Sequence, residues 1–492
     1  MHPAARRRAL APASRREFLR GGAAALVGGA LGCAEGPPRG AAPPYDVCVV
    51  GSGFAGLFLG QRLVDGGART IILEAGPHLP GAGSPEGAIA LFPWRSVGPV
   101  DFPLDETRTI GVGGTSRRWN GVATRLAPAD FRTRTEFGLD ADWPLAYDDL
   151  ASYYCQAEEA LGVTGGATVP GAEPPRSCPL PFEASGYVSP APLFEPLPLA
   201  FFPLPFSSRG GARQPLRLAD VEVPRFVGSA GATLLADSPA ARLVTEDGVD
   251  IDSCEIRRAD GSREAVRARC FVVAAGVVES ARLLLASTSR FFPRGLGNRA
   301  GLVGTRFNAH PRYRRTLPPD GALGAPRGIH RSYSATEALR RQGLGAALFD
   351  VHLQAQTVVD LMTEMEPAPA NTVTLEGAAG GPSVASLHVE WSERDRGTLA
   401  QGLALHDEVT RAVAPPGPLV PPALRWFHPA GTCGMGADEG SGVVDRDGRV
   451  FGLRNLYLAG ASTFTTSGPG NPTLTVVALA LRLADHLLGR LG

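Results

Sequence analysis

The stretch that most constrains this chain runs from Tyr45 to Glu74. Tyr45-Asp46-Val47-Cys48-Val49-Val50 turns apolar after Asp46 and reads as a buried parallel strand. It enters Gly51-Ser52-Gly53-Phe54-Ala55-Gly56, and Leu57 to Asp65 follows with helical periodicity. Ile71-Ile72-Leu73 is a second strand and ends in an acid, Glu74. Glycines at this spacing, between a strand and a helix, make the dinucleotide fingerprint. Gly51 allows the tight turn, Gly53 admits a pyrophosphate, and Gly56 lets helix and strand pack closely. Ser52, Phe54 and Ala55 complete a loop at the helix N-terminus, where backbone N–H groups face the phosphates. Glu74 has the spacing of the acid that binds the adenosine ribose. The fingerprint does not separate FAD from NAD. Its place ahead of everything else that folds, with Glu74-Ala75-Gly76 after the second strand, leans towards FAD.

A chain of 492 residues holds one large domain or two interleaved ones, with ample core. Abundant Gly and Pro fit a turn-rich α/β protein. Positive and negative charges balance, and no basic block makes a nucleic-acid footprint. The seven cysteines show no C-x-x-C, no haem attachment site and no zinc spacing, so no metal site is expected. Cys48 and Cys270 sit in apolar strands as small hydrophobes, and Cys433 reads as packing. An exported chain can form a disulfide, but the connectivity is not readable.

The N-terminus is not part of the fold. Ser14-Arg15-Arg16-Glu17-Phe18-Leu19-Arg20 precedes an apolar run, Gly21 to Gly32, too short to span a bilayer as a mature helix. This matches the twin-arginine export signal. That route carries proteins already folded around a cofactor. Ala30-Leu31-Gly32-Cys33 resembles a lipoprotein cleavage site, with Ala30 where Leu is usual. A lipidated Cys33 would make Gly36 to Pro44 a tether from membrane to domain. Cleavage into a soluble periplasmic form is the alternative. The expected address is therefore periplasmic or membrane-anchored, with residues 1–33 as signal and 34–44 as linker.

The last quarter carries the chemistry. It reads W-F-H-P-A-G-T-C-G-M-G from Trp426, then N-L-Y-L-A-G-A-S, then G-P-G-N-P-T. An alcohol loses hydride easily only as its hydroxyl proton leaves. A neutral imidazole suits that proton transfer, and a carboxamide beside it can hydrogen-bond the same oxygen. His428 and Asn471 are the candidates. Alone, a histidine in an apolar stretch is usually structural, and Asn before Pro is usually a turn residue. Their order and context resemble the C-terminal signature of the glucose-methanol-choline (GMC) flavin oxidoreductases. The resemblance implies that His428 is the catalytic base and Asn471 its partner; the family has His or Asn at the second position. It also places Gly460, Ala461, Pro472 and Thr473 against the cofactor.

Gly111-Val112-Gly113-Gly114-Thr115-Ser116-Arg117-Arg118-Trp119-Asn120-Gly121 resembles the family loop that lies along the isoalloxazine. Gly113, Gly114, Thr115, Ser116 and Asn120 join the cofactor set on that basis, since such loops turn N–H groups towards a polar edge. Some members link FAD to a histidine here. Arg118 stands at the comparable position, so FAD is expected to bind without a covalent link. Cys270 to Gly276 followed by Val277 to Ser287 is a strand and helix. In the family this segment packs on the pyrophosphate side, which assigns Ala275 and Gly276, and a backbone contact to adenine falls near Ala240. Asp142-Trp143-Pro144 to Glu159 resembles another family segment, with Asp148 or Asp149 near the start of an amphipathic helix. His310-Pro311 resembles a closure motif in which His310 is structural.

Residues 165–215 are rich in Pro, Gly and Phe and read as loop beside the pocket, where Phe201, Phe202 and Phe206 pack or line it. Glu366 to Leu375 resembles a family strand, and Val384 to Trp391 alternates like one. Together they predict an antiparallel sheet walling the site opposite the flavin. Gly377-Ala378-Ala379-Gly380-Gly381 departs from the family's usual D-x-x-G segment. His352, Glu364 and Trp391 are pocket candidates.

The expected fold is α/β: a Rossmann-like FAD-binding domain with a discontinuous substrate domain on an antiparallel sheet. Residues 45–164, 216–311 and 425–492 form the first; 165–215 and 312–424 form the second. The expected reaction is FAD-dependent oxidation of a CH–OH group on a sugar, glycoside or other alcohol. A quinone, a cytochrome or oxygen then takes the electrons. An amine- or CH–CH-oxidising flavoenzyme, or a lipoprotein that holds flavin without catalysis, stays open on sequence alone.

Overall fold

The computed structural model describes residues 43–492 apart from 80–88, 90–91, 166–168, 170, 181, 184–187, 196, 209–214, 259, 318–327, 377–382 and 415. The expected export signal, the linker through residue 42 and the whole Gly377 to Gly381 departure lie outside the described residues.

β1 (Tyr45–Val50), α1 (Phe54–Asp65) and β2 (Thr70–Leu73) form the expected strand–turn–helix–strand unit. β3 (Trp94–Ser96), α2 (Tyr147–Leu161), β4 (Phe202–Pro203) and β5 (Ala232–Leu235) follow. Next come β6 (Ala268–Val273), α3 (Val277–Ala286), β7 (Thr305–Thr316), β8 (Gly328–Ser332), β9 (Ala347–Leu353) and β10 (Thr357–Thr363). The chain closes with β11 (Thr372–Glu376), β12 (Val384–His388), α4 (Glu393–Val413), β13 (Ala423–Thr432), β14 (Leu456–Leu458) and α5 (Thr473–Leu491).

The parallel sheet has the order β14-β6-β1-β2-β5. Its central strand is buried on both faces, and Val47, Cys48 and Val49 are fully enclosed. That explains the continuous apolar run. The turn after β1 needs glycine twice. Gly51 has φ +106° and a Cβ there would lie 2.5 Å from the Ala274 carbonyl oxygen. A Cβ on Gly56 would lie 1.9 Å from the Gly51 carbonyl oxygen, so any larger residue would push α1 off the sheet. α1 packs against α5, and Arg62 pairs with Asp485 across them at 2.8 Å.

The second sheet has six antiparallel strands in the order β13-β7-β10-β9-β8-β4. Side chains alternate across it, which gives it two unlike faces. Phe349, Val351, Val359 and Leu361 face α4 and pack with Val409 and Val413. Arg315 points the same way, 3.1 Å from the Thr410 hydroxyl and 2.9 Å from Asp407. The opposite face carries charge, and it fronts a cavity. The hairpin of β11 and β12 forms as expected and reaches the large cavity through Leu375 and Glu376, but the charged wall belongs to the six-stranded sheet. The hairpin pairs with β3 in a separate three-stranded sheet, because β12 offers its free edge to Trp94–Ser96 in parallel register.

α2 starts where the acids predict: the Asp149 carboxylate accepts from the Ala146 N–H at 2.8 Å. Cys155, on α2, is disulfide-bonded to Cys178. Cys48, Cys254, Cys270 and Cys433 are free and buried, and burial pushes the Cys433 thiol up to about 12. Phe201 and Phe202 are buried packing residues.

Glu364 does not face a pocket. It shares the buried Arg340 guanidinium with Asp130, at 2.9 and 2.7 Å. Its other oxygen accepts from the Gly468 N–H at 2.8 Å, so one ion cluster anchors the loop that precedes Asn471. Arg340→Met leaves two buried carboxylates without their cation. The expected loss is about 3–5 kcal/mol, read as a lower denaturant midpoint. A loss below about 1 kcal/mol, the size of an exposed pair, would contradict the anchoring role.

Candidate active site

A cavity of about 990 Å³ opens at the carboxyl ends of the parallel strands. Gly51, Ser52, Gly53, Phe54 and Ala55 line it, as do Glu74, Ala240, Ala275 and Gly276. Gly114, Thr115 and Asn120 come from the glycine loop, and Gly460, Ala461, Pro472 and Thr473 from the C-terminal segment. Three expected cofactor residues are not in this lining. Gly56 packs behind the turn. Gly113 lies against Ala219, and the Ser116 hydroxyl is buried on the Gly113 carbonyl at 2.7 Å, because this stretch coils into a short 3-10 turn. Arg108, Arg118 and Arg282 also reach the cavity.

The residues present fit a dinucleotide. A Cβ at Gly53 or Gly276 would meet nothing within 4 Å, so both glycines show bare backbone to open space. The N-termini of α1, α3 and α5 all reach the cavity wall, which favours a phosphate there. Glu74 closes the far side of the turn. Its carboxylate accepts from the Ser52 hydroxyl at 2.6 Å and from the Ser52 and Gly76 N–H groups at 3.1 and 3.0 Å. Burial raises its pKa against the pull of those donors.

His428 sits on the cavity wall through a fault in the sheet. β7 and β13 pair Asn308 with Ala430 but His310 with Phe427, so β13 carries one extra residue. His428 has φ +56°, a conformation that costs a non-glycine residue energy. Such a bulge re-aims a side chain, and here Phe427 and His428 both face the cavity.

Both imidazole nitrogens are occupied. His428 Nδ1 is 3.0 Å from His310 Nδ1, and His428 Nε2 is 3.0 Å from Asn471 Nδ2. His310 Nε2 is 2.6 Å from the Gly468 carbonyl oxygen and 3.1 Å from the Ser467 hydroxyl. A carbonyl only accepts, so His310 carries its proton on Nε2 and its Nδ1 is a bare acceptor. His428 must then donate from Nδ1, which leaves the lone pair on Nε2. The Asn471 amide is oriented too, because Arg331 donates to its Oδ1 at 2.9 Å and turns Nδ2 towards His428. Burial pulls His310 down to about 4. Burial also holds His428 well below its usual value, with His310, Arg312 and Arg331 adding to the effect. The pair is neutral at physiological pH. His310, expected to be structural, is instead the residue that sets the tautomer of His428; the strand register brings the two together.

In front of His428 and Asn471 lies a second cavity of about 210 Å³. The two cavities share Asn120, Arg312, Arg314, Phe427 and His428 in their walls. Phe206 and His352 line the smaller one, whereas Trp391 stacks on Trp426 at 5.1 Å and lines neither. The sequence reading missed Arg312, Arg314, Arg331, Asp350 and Asp360. Arg331 grips Asp350 through two bonds of 2.7 Å, and Arg314 grips Asp360 at 2.8 and 2.6 Å. Against the upward push of burial, the Arg314 bonds hold Asp360 well below the usual carboxylate range. The sequence offers little signal for them: Gly328–Ser332 and Thr357–Thr363 each carry a single Arg or Asp, and Arg314 is followed directly by Arg315.

A family model described as GMC oxidoreductase matches residues 367–480. The chain is 27% identical to 2-methyl-1,2-propanediol dehydrogenase of Mycolicibacterium austroafricanum, covering 90% of this chain and 95% of that protein. It is 25% identical to the fructose dehydrogenase large subunit of Gluconobacter japonicus, with 91% and 98% covered. Paromamine 6'-oxidase of Streptomyces fradiae is 28% identical, with 91% and 92% covered. The fold is similar to that of pyridoxine 4-oxidase from Mesorbium loti, with TM-score 0.64 at 18% identity over 90% of this chain and 99% of that one. Formate oxidase gives TM-score 0.66 at 15% identity over 91% and 99%. The matched family segment carries both His428 and Asn471, and the relatives align along nearly the whole described chain: over that length the chain is similar to the GMC oxidoreductases.

Proposed function

We propose that this enzyme binds FAD without a covalent link and oxidises a CH–OH group of a sugar, glycoside or other alcohol. The observation that carries the reading is the unprotonated Nε2 of His428, which accepts from the Asn471 amide where the two cavities meet. Two relatives are named for an aliphatic diol and for fructose, and a structure of similar fold is titled for FAD modification in a formate oxidase. Arg118, in place of a linking histidine, supports a non-covalent cofactor.

Gly51, Ser52, Gly53 and the α1 N-terminus would hold the pyrophosphate, Glu74 the ribose, and Ala240 the adenine side. When bound, FAD supplies the acceptor for the carbon-bound hydrogen, taken as hydride. His428 Nε2 takes the hydroxyl proton of the substrate. Asn471 donates its amide N–H to the same oxygen and steadies the negative charge that builds there. His310 keeps the accepting nitrogen of His428 facing the pocket. Paired Arg331 keeps the Asn471 amide from flipping. A quinone, a cytochrome or oxygen then removes the electrons.

Export by the twin-arginine route belongs to the same proposal. It rests on Ser14 to Arg20 and on the Cys155–Cys178 bond, since disulfides persist in oxidising compartments. Cys33 is the residue a lipid anchor would use.

His428→Ala is expected to keep the yellow cofactor and to slow anaerobic flavin reduction by about a hundred- to ten-thousand-fold, the range for general-base help. Reduction at native speed in stopped flow would remove His428 from the chemistry. The pH dependence follows from the lowered pKa of His428. Only its neutral form takes a proton, and that form persists as pH falls through 6.5. The reduction rate is expected to stay flat from pH 8 to about 6, then to fall at lower pH. A rate that already halves near pH 7 would contradict a buried, unprotonated base.

A further inference from the structure

The smaller cavity holds three guanidinium groups, on Arg312, Arg314 and Arg331, against two carboxylates, on Asp350 and Asp360. Both carboxylates are already taken. Arg331 grips Asp350 through two bonds, and Arg314 grips Asp360 in the same way, with His352 Nε2 also 3.4 Å from Asp360. Arg312 is left over. Its nearest carboxylate oxygen, on Asp360, is 3.9 Å from Nε, and that buried Nε has no hydrogen-bond partner. The guanidinium instead lies over the Phe427 ring, 4.1 Å from its centroid. The ring fixes the plane of the fork and satisfies none of its N–H groups. Strand alternation aims Arg312 at the same face as His310 and Arg314, and it lines both cavities.

An enclosed cation with unused donors calls for an anion, and among the described residues no side chain in this wall is free to supply one. We propose that the anion comes from the substrate: the enzyme takes a carboxylate-bearing alcohol, a hydroxy acid or sugar acid, and Arg312 is the residue that selects it. The planar fork matches a carboxylate through two parallel bonds. His428 and Asn471 lie in the same small cavity, so a carboxylate on Arg312 holds the rest of a compact molecule before the base. This inference rests on the CH–OH reading for turnover, but binding of the acid group does not depend on it.

The test uses the flavin-loaded enzyme and matched pairs: glucuronate with glucose, galacturonate with galactose, gluconate with sorbitol. Anaerobic flavin bleaching gives kcat/KM for each. The acid of at least one pair is expected to be preferred. Arg312→Met should cut the acid-to-neutral selectivity by at least about thirtyfold, and Arg312→Lys should recover part of it. Cyclohexanecarboxylate, an acid with no carbinol, serves as a binding probe in thermal shift. It should stabilise the native enzyme and the Lys variant more than the Met variant. Neutral sugars bleaching better than every acid, or equal losses for both members in Arg312→Met, would overturn the proposal and leave the CH–OH reading standing. Binding of the probe through Arg312 with no bleaching by any alcohol would instead uphold the anion site and sink the CH–OH reading. No binding and no acid preference would end the proposal outright.

Discussion

The contact between His310 and His428 is the constraint on which the site depends. Two buried imidazoles facing each other through Nδ1 can share only one proton there, and the Gly468 carbonyl decides which ring owns it. The decision passes from backbone to His310 to His428 and emerges as an accepting nitrogen in the cavity wall. Among the described residues no carboxylate bonds to either ring, and the pair takes its order from proton placement. Charging either ring would put a cation beside Arg331 and Arg312 in a dry interior, a costly arrangement.

That arrangement is supported from below. The Gly468 carbonyl is where it is because its own N–H is held by Glu364, which Arg340 shares with Asp130. The same loop is also held by Trp143, whose indole N–H donates to the Thr466 hydroxyl at 2.9 Å. The six-stranded sheet does the rest by segregating its faces. Phe349, Val351, Val359 and Leu361 bind it to α4, and this apolar seam frees the other face to carry polar groups in a fixed register.

The nucleotide half was legible because its signal is local. Strand, turn, helix and acid lie within thirty residues, and glycine is required at Gly51 and Gly56 by contacts the spacing itself creates. His428 and Asn471 were legible only through the resemblance of the segment around them. His310 was read as structural, since nothing in sequence says that a residue 118 positions away will share its proton. Arg312, Arg331, Asp350 and Asp360 were hidden for the same reason. Each is an ordinary charge on its own strand, and they become a wall only when four strands settle into register. The sequence assigns the wall to Glu366 to Leu375 and Val384 to Trp391, but the hairpin these form pairs with Trp94–Ser96, which is too short to announce itself. The Cys155–Cys178 link depends on a loop path that spacing does not reveal.

The extra residue in β13 has one more effect. It places Phe427 and His428 side by side on the cavity wall, joined by a single peptide unit but propped from different directions. Phe427 answers to Arg312, and His428 answers to His310 and Gly468. The two adjacent side chains therefore have separate supports, although Arg312 also helps keep His428 uncharged. A change of appetite in this scaffold can be written on Phe427 and its strand neighbour while the reacting imidazole keeps its footing.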